Sequence, residues 1–206
     1  MSFPRRPYPS IAEYIDDYAT QMATAMAAVS RSALEKAALL LIDCLKNDQA
    51  LFSCGNGGSA AIANHLVCDH AKGISTDTGL RPRVQSLSAT VEMLTALAND
   101  LEYAEVFSGQ LKLFARPGDT LIAISSSGDS ENIVRALTWA RDNGLRTIAL
   151  TGFEGGRASR VAEVNLHVPA DNYGVIEDVH QALMHCLAQY VRQAHMIPES
   201  ISIRRF

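Results

Sequence analysis

The chain has 206 residues, 48% of them apolar and 19% charged, with a formal net charge of -4. That length can bury a full core, and the acidic balance gives no electrostatic footprint for nucleic acid. No apolar run approaches the ~18 residues of a membrane span. The opening MSFPRRPYPS has no apolar stretch after its arginines, so the chain reads as cytoplasmic.

Residues 1–9 carry three prolines and predict an extended arm; residues 10–206 then read as one domain. Ser10-x-x-Glu13 is a capping-box signature, followed by Ile11, Ile15, Tyr18, Met22 and Met26 at helical spacing. A second box, Ser32-x-x-Glu35, predicts another helix through Leu45. The two make an N-terminal helical hairpin over 10–47, with one apolar face left for a partner subunit. From residue 50 the pattern alternates. Leu51 to Cys54 reads as a strand, followed by a Gly/Asn/Ser turn and a helix. Residues 83–89 read as a strand, with helical patches through Ala98 and from Tyr103 to Phe114. Strands at 120–128, 146–152 and 164–169 alternate with helices at 130–144, around GGRASRVA, and from about Val175 to Ala194. Strands alternating with helices predict an α/β fold, its parallel sheet covered on both faces. The basic pairs Arg5-Arg6 and Arg204-Arg205 read as solvated ends. Cys44, Cys54, Cys68 and Cys186 have no CxxC spacing and fall in apolar runs, which predicts reduced, buried thiols.

Two strand–turn–helix junctions, GNGGS (55–59) and SSSGDS (125–130), share one construction. A helix N-terminus offers unpaired N–H groups and partial positive charge, small residues allow close approach, and hydroxyls add donors. A phosphate is the expected guest, with Ser59, Ser125, Ser126, Ser127 and Ser130 as donors. Either junction alone reads equally as a capped βα turn. Neither holds a Gly-Lys-Ser/Thr, so triphosphate hydrolysis has no support. Gly55-x-Gly57-x-x-Ala60 matches a dinucleotide fingerprint formally, but the strand at 83–89 ends without the acid that would hold a ribose.

Polar residues interrupt two apolar helices. His65 and Asp69 share one helical face. On the last helix Glu177, His180 and His185 break the pattern, and Glu177 and His185 lie about two turns apart. If the two helices face one cleft, His65, Asp69, Glu177 and His185 form a set suited to a divalent ion such as zinc, or to acid/base work. Ordinary solvated or salt-linked side chains are the alternative. His70, His167 and His195 read as structural, and Asn99-Asp100 as a cap or turn.

Taken together, CGNGGSAA (54–61), HLVCD (65–69), AND (98–100), ISSSGDSENIVRA (124–136), ALTG.EGG (149–156) and IEDVHQALMH (176–185) resemble the sugar isomerase (SIS) domain family. Within it they are most similar to the phosphoheptose isomerases. The resemblance covers roughly residues 10–195. It implies a three-layer αβα sandwich with a central parallel sheet, in a homotetramer with shared active sites. It implies that Asn56, Gly57, Gly58, Ser59, Asn99 and Asp100 contact a phosphorylated sugar, and that Ser125, Ser126, Ser127 and Ser130 cradle its phosphate. It implies one divalent metal, zinc, at the positions of His65, Asp69, Glu177 and His185, with Asp69 and His185 as the acid/base pair. The implied reaction takes sedoheptulose 7-phosphate to D-glycero-D-manno-heptose 7-phosphate through an enediol. Two positions depart from the family: Asp69 stands in place of glutamate and Glu177 in place of glutamine. HAKGIS after Asp69 also replaces the usual Gly-Arg-aromatic sequence. The alternatives within the family are an isomerase of another sugar phosphate, or a non-enzymatic phosphosugar-binding or replication-initiator-associating protein.

Overall fold

The computed structural model describes residues 3–206. Helices α1 (Ile11–Ala28) and α2 (Arg31–Lys46) lead into β1 (Ala50–Gly55) and α3 (Gly58–Val67), which continues as a wider π-helical stretch, Cys68–Gly73. Then come β2 (Arg83–Ser86), α4 (Val91–Asp100), a 3₁₀ turn at Tyr103–Glu105 and α5 (Ser108–Phe114). The chain continues through β3 (Thr120–Ser125), α6 (Glu131–Asp142), β4 (Arg146–Thr151), α7 (Ala158–Val161) and β5 (Val164–His167). It ends with α8 (Tyr173–Gln193) and α9 (Pro198–Ile201).

The five strands form one sheet in the order β2-β1-β3-β4-β5, every pair parallel. A parallel sheet must be covered on both faces, and the central strands supply apolar residues to each. Ile122 and Ile124 of β3 join a core with Leu41, Leu66, Val179 and Leu183, under α2, α3 and α8. Leu121 and Ala123 point the other way, into a core with Phe107, Leu111, Ile133 and Leu137. This is the expected three-layer αβα sandwich. The expected N-terminal helices are present, and both lie against α8.

From β1 the chain moves outward to β2, then returns to place β3 on the other side of β1. That reversal opens a crevice between the carboxyl ends of β1 and β3, where ligands bind in such sheets. The two glycine–serine turns leave the sheet there, after Gly55 and Ser125.

Some expectations are corrected. Helix α2 is capped by Ser30, whose hydroxyl accepts the Ala33 N–H at 3.3 Å; Ser32 lies inside the helix. The strand at 83–89 ends at Ser86. Only Cys44 and Cys54 are buried; Cys68 and Cys186 are exposed on the π-helical stretch and α8, although all four thiols are free. The C-terminal basic pair is exposed, as expected, although the segment around it is tied to the body of the fold. Arg204 pairs with Asp77 at 3.4 Å, Arg192 donates to the Arg205 carbonyl, and the Phe206 ring lies under the Arg192 guanidinium. The N-terminal arm is anchored as well, since Phe3 is buried against Tyr14 and Tyr18. No helix among the described residues is long and apolar enough to cross a membrane.

Candidate active site

The first turn bends sharply because Gly57, the residue before α3, has φ 54° and ψ -124°, a conformation closed to residues with a Cβ. The next residue, Gly58, leaves room for the Glu177 carboxylate from α8: a Cβ there would lie 2.3 Å from Glu177 Oε2. The second turn begins where β3 ends. Ser130 occupies the cap position of α6, yet its hydroxyl makes no cap hydrogen bond. Gly128 N–H donates to Ser125 Oγ at 3.1 Å. Ser126 is buried, and its hydroxyl has no hydrogen-bond partner among the described residues.

These turns enclose a cavity of ≈ 170 Å³ lined by Asn56, Ser59, the three serines 125–127, Ser130, Tyr173 and Glu177. Two amides lock its walls together. Asn56 Nδ2 donates to Asn132 Oδ1 at 2.9 Å, Asn132 Nδ2 donates back to Asn56 Oδ1 at 3.0 Å, and Tyr103 OH adds a bond to the same oxygen. Asn56 therefore spends its amide on the scaffold. Asn132, which the sequence reading missed, is its partner. Outside the loop, Arg157 pairs with Asp129 at 3.1 Å and with Glu131 at 2.8 Å. Hydrogen bonds from Arg157 hold both carboxyls below their ordinary range, and its guanidinium offsets their negative charge beside the cavity. Inside the cavity, burial, with a smaller push from Asp178, raises the Glu177 carboxyl.

Further along the same helix pair, His65 and Asp69 meet His185. His65 Nε2 lies 3.4 Å from Asp69 Oδ1, and His185 Nε2 lies 3.3 Å from Asp69 Oδ2. The two imidazoles are edge to face, 5.1 Å between centroids. One ligand atom from each of the three residues lies within 4.8 Å of the others. Two ligands of one tetrahedral zinc are about 3.3 Å apart, given bonds of about 2.0–2.1 Å. The spacings and the His/His/carboxylate chemistry therefore suit a divalent ion. Asp69 sits in the first turn of the π-helical stretch, a feature often found at functional sites.

Glu177 does not join this trio. Its side chain turns onto Gly58, where the missing Cβ leaves space, and so lies in the serine cavity instead. Asn99 and Asp100 are also apart from both groups. They stand exposed on the last turn of α4, where Asn99 Nδ2 donates to Asp100 Oδ1 at 2.9 Å. His180 faces the core, with its Nε2 3.1 Å from the Thr151 carbonyl. The sequence reading also missed Gln181, whose amide nitrogen is 2.9 Å from His185 Nε2. Its signal was available, since Glu177, Gln181 and His185 recur at i, i+4 and i+8 on one face of α8.

A SIS domain model matches residues 13–152. The chain is 39% identical over 158 residues to the phosphoheptose isomerase of Aliarcobacter butzleri (strain RM4018), covering 77% of this chain and 83% of that one. It is 38% identical over 187 residues to the phosphoheptose isomerase of Akkermansia muciniphila, covering 89% and 97%. A solved phosphoheptose isomerase structure from Neisseria gonorrhoeae matches with a TM-score of 0.79 at 32% identity, over 88% of this chain and 96% of that one.

Proposed function

Because the chain belongs to the SIS domain family, we propose that it is a phosphoheptose isomerase, converting sedoheptulose 7-phosphate to D-glycero-D-manno-heptose 7-phosphate through an enediol. One observation carries this reading beyond the likeness: two chemically distinct stations lie along the same pair of helices. Glu177 meets Gly58 beside the serine cavity, and eight residues on, His185 meets His65 and Asp69. Eight helical residues rise ~12 Å. An open-chain heptose 7-phosphate has eight bonds from phosphorus to C1, about 9–10 Å at the ~1.2 Å per bond of an extended chain. The distances are commensurate, with phosphate at one station and the reacting carbons at the other.

In this reading the backbone N–H groups of the two turns and the hydroxyls of Ser59, Ser125, Ser126, Ser127 and Ser130 hold the phosphate. Glu177 and the Gly57-Gly58 backbone bound the space for the sugar chain. Anchoring the phosphate fixes where C1 and C2 rest, and such positioning supplies much of a catalytic effect. Asp69 takes a proton from C1 of the ketose and returns it to C2. His185 moves the hydroxyl proton between the neighbouring oxygens. His65, Asp69 and His185 would hold a divalent ion such as zinc, which would supply Lewis-acid polarisation of the sugar oxygens. Aspartate at position 69 has about 1.5 Å less reach than glutamate, so the substrate must come closer to α3.

We assign residues 10–206 to one SIS domain that includes the N-terminal helices, preceded by the arm. The assembly proposed is a homotetramer. Exposed Ile11, Ile15, Leu39 and Tyr190 support it, as apolar surface on α1, α2 and α8. A site shared between subunits is also what would bring the outlying Asn99-Asp100 to substrate, and sedimentation of the purified protein tests the state.

The direct test is turnover of sedoheptulose 7-phosphate by the wild type, Asp69→Asn and His185→Ala. A fall of about 10²–10⁴ in each variant is expected. Unchanged turnover in both would remove these residues from the mechanism. Turnover of a pentose or hexose phosphate in place of the heptose would reassign the substrate. A sugar phosphate bound and never turned over would mark a sensor.

A further inference from the structure

We infer that Gln181 supplies the fourth donor to the divalent ion, the place that helix spacing gives to Glu177. The inference rests on the metal-dependent reading above and concerns which residue completes the site.

The geometry separates the two candidates. Glu177 is committed elsewhere: its carboxylate fills the space over Gly58 and lines the serine cavity. Gln181 stands one turn before His185, half-buried, with its amide end 2.9 Å from His185 Nε2. That same nitrogen faces Asp69 Oδ2 at 3.3 Å. The nitrogen and oxygen of a glutamine amide exchange places by a half-turn of the last side-chain torsion, with almost no change in shape. With Oε1 turned inward, the amide carbonyl points to the region already bounded by two imidazoles and a carboxylate. A few tenths of an ångström of side-chain movement brings the 2.9 Å contact to the about 3.3 Å expected between ligands of a tetrahedral zinc.

Charge and chemistry favour the amide. Two neutral imidazoles, one carboxylate and one amide leave a divalent site with a net positive charge, which strengthens its pull on sugar oxygens. A second carboxylate would cancel that charge. A neutral carbonyl is also a weak donor, readily displaced or supplemented by a substrate oxygen. That suits catalytic zinc, which expands its coordination during reaction. If Gln181 served only to orient His185, its loss would change affinity without changing the number of ligands on the ion.

Cobalt reports both properties. The metal-free full-length protein is titrated with Co²⁺ against a competing chelator, and its visible absorption is recorded for wild type, Gln181→Leu, Gln181→Glu and Glu177→Gln. The inference expects Gln181→Leu to bind Co²⁺ about 10–100-fold more weakly, with an altered visible band. Gln181→Glu should restore tight binding, which separates ligand loss from misfolding. Glu177→Gln should keep the wild-type affinity and band. Wild-type affinity and spectrum in Gln181→Leu would overturn the inference. So would weaker binding with an unchanged band, the loss appearing in Glu177→Gln, or a wild type that binds no Co²⁺. Turnover of sedoheptulose 7-phosphate is measured separately. Cobalt results as expected, with no turnover by the zinc-loaded wild type, would support the Gln181 assignment while sinking the isomerase reading.

Discussion

Ser126 carries a buried hydroxyl that no group among the described residues satisfies. A buried donor left unpaired costs about 1–3 kcal/mol, a cost that a bound guest would offset. A phosphate oxygen is the guest that the surrounding turns favour. Replacing Ser126 with alanine removes the donor and most of that cost. The folded protein should lose little stability, whereas the bond to phosphate, about 1.5–3 kcal/mol for a charged acceptor, disappears. We expect Ser126→Ala to raise KM by about 10–100-fold with kcat changed far less, measured by steady-state kinetics. An unchanged KM would place the phosphate elsewhere. Glu177 argues in the opposite direction. Its carboxylate adds negative charge to the cavity proposed to take the phosphate, and its raised pKa records the cost of burial there. Glu177→Gln keeps the shape and removes the charge. It should tighten binding of inorganic phosphate in the cavity several-fold, read by calorimetry; weaker binding would show that the carboxylate holds the pocket open instead.

At the scale of elements, the ends of helices decide what the sequence makes legible. Ser10 caps α1 as its box predicts, accepting from Glu13 N–H at 3.2 Å. The second box pointed to Ser32, but the chain turns two residues earlier. Arg31 reaches back to the Met26 and Val29 carbonyls at the end of α1, and this closure fixes Ser30 as the cap. A capping signature reads one helix start and is blind to the helix before it. Ser30→Ala should therefore cost about 1 kcal/mol, while Ser32→Ala stays within about 0.5 kcal/mol, both read from urea unfolding. The reverse order would return the cap to Ser32. The π-helical stretch after α3 was equally illegible, because periodicity cannot register one extra residue in a turn. That stretch carries Asp69 and leaves Cys68 exposed, against the expectation drawn from its apolar neighbours. Gln181 escaped for a different reason. Its i, i+4, i+8 spacing with Glu177 and His185 is visible in the sequence, but a glutamine in that series gains meaning only once the fold sets an imidazole beside it.

For the molecule as a whole, the alternation of apolar strands with amphipathic helices was sufficient to read a covered parallel sheet, because each pattern has one way to bury its apolar side. Strand order was not readable from periodicity, yet it places the crevice between β1 and β3 and so gathers the two turns. The histidines follow the same logic. His65 and His185 meet because α3 and α8 pack together, and the same packing turns His180 inward. There its Nε2 faces the Thr151 carbonyl, its Nδ1 has no partner among the described residues, and burial lowers its pKa to about 4 from an ordinary 6.5, with His167 adding a smaller push. A histidine buried neutral makes folding depend on pH. Above pH 6.5 it is neutral in both states and costs nothing. Between 6.5 and about 4 the unfolded chain takes up the proton and the folded protein does not, so stability falls with falling pH across that window. Below about 4 both states are protonated and the loss is complete. A difference of this size corresponds to about 3 kcal/mol. The carboxyls paired with Arg157 lose their contribution only lower, below their unfolded values of 3.8 for Asp129 and 4.5 for Glu131. The histidine limb is therefore separable from theirs. Unfolding by urea from pH 8 to pH 4 should show stability declining from about pH 6.5. In His180→Gln, whose amide N–H can still donate to the Thr151 carbonyl, that decline should flatten. An equally steep decline in the variant would assign the acid limb to other groups, with His70, also buried and lowered to about 4, the next to replace.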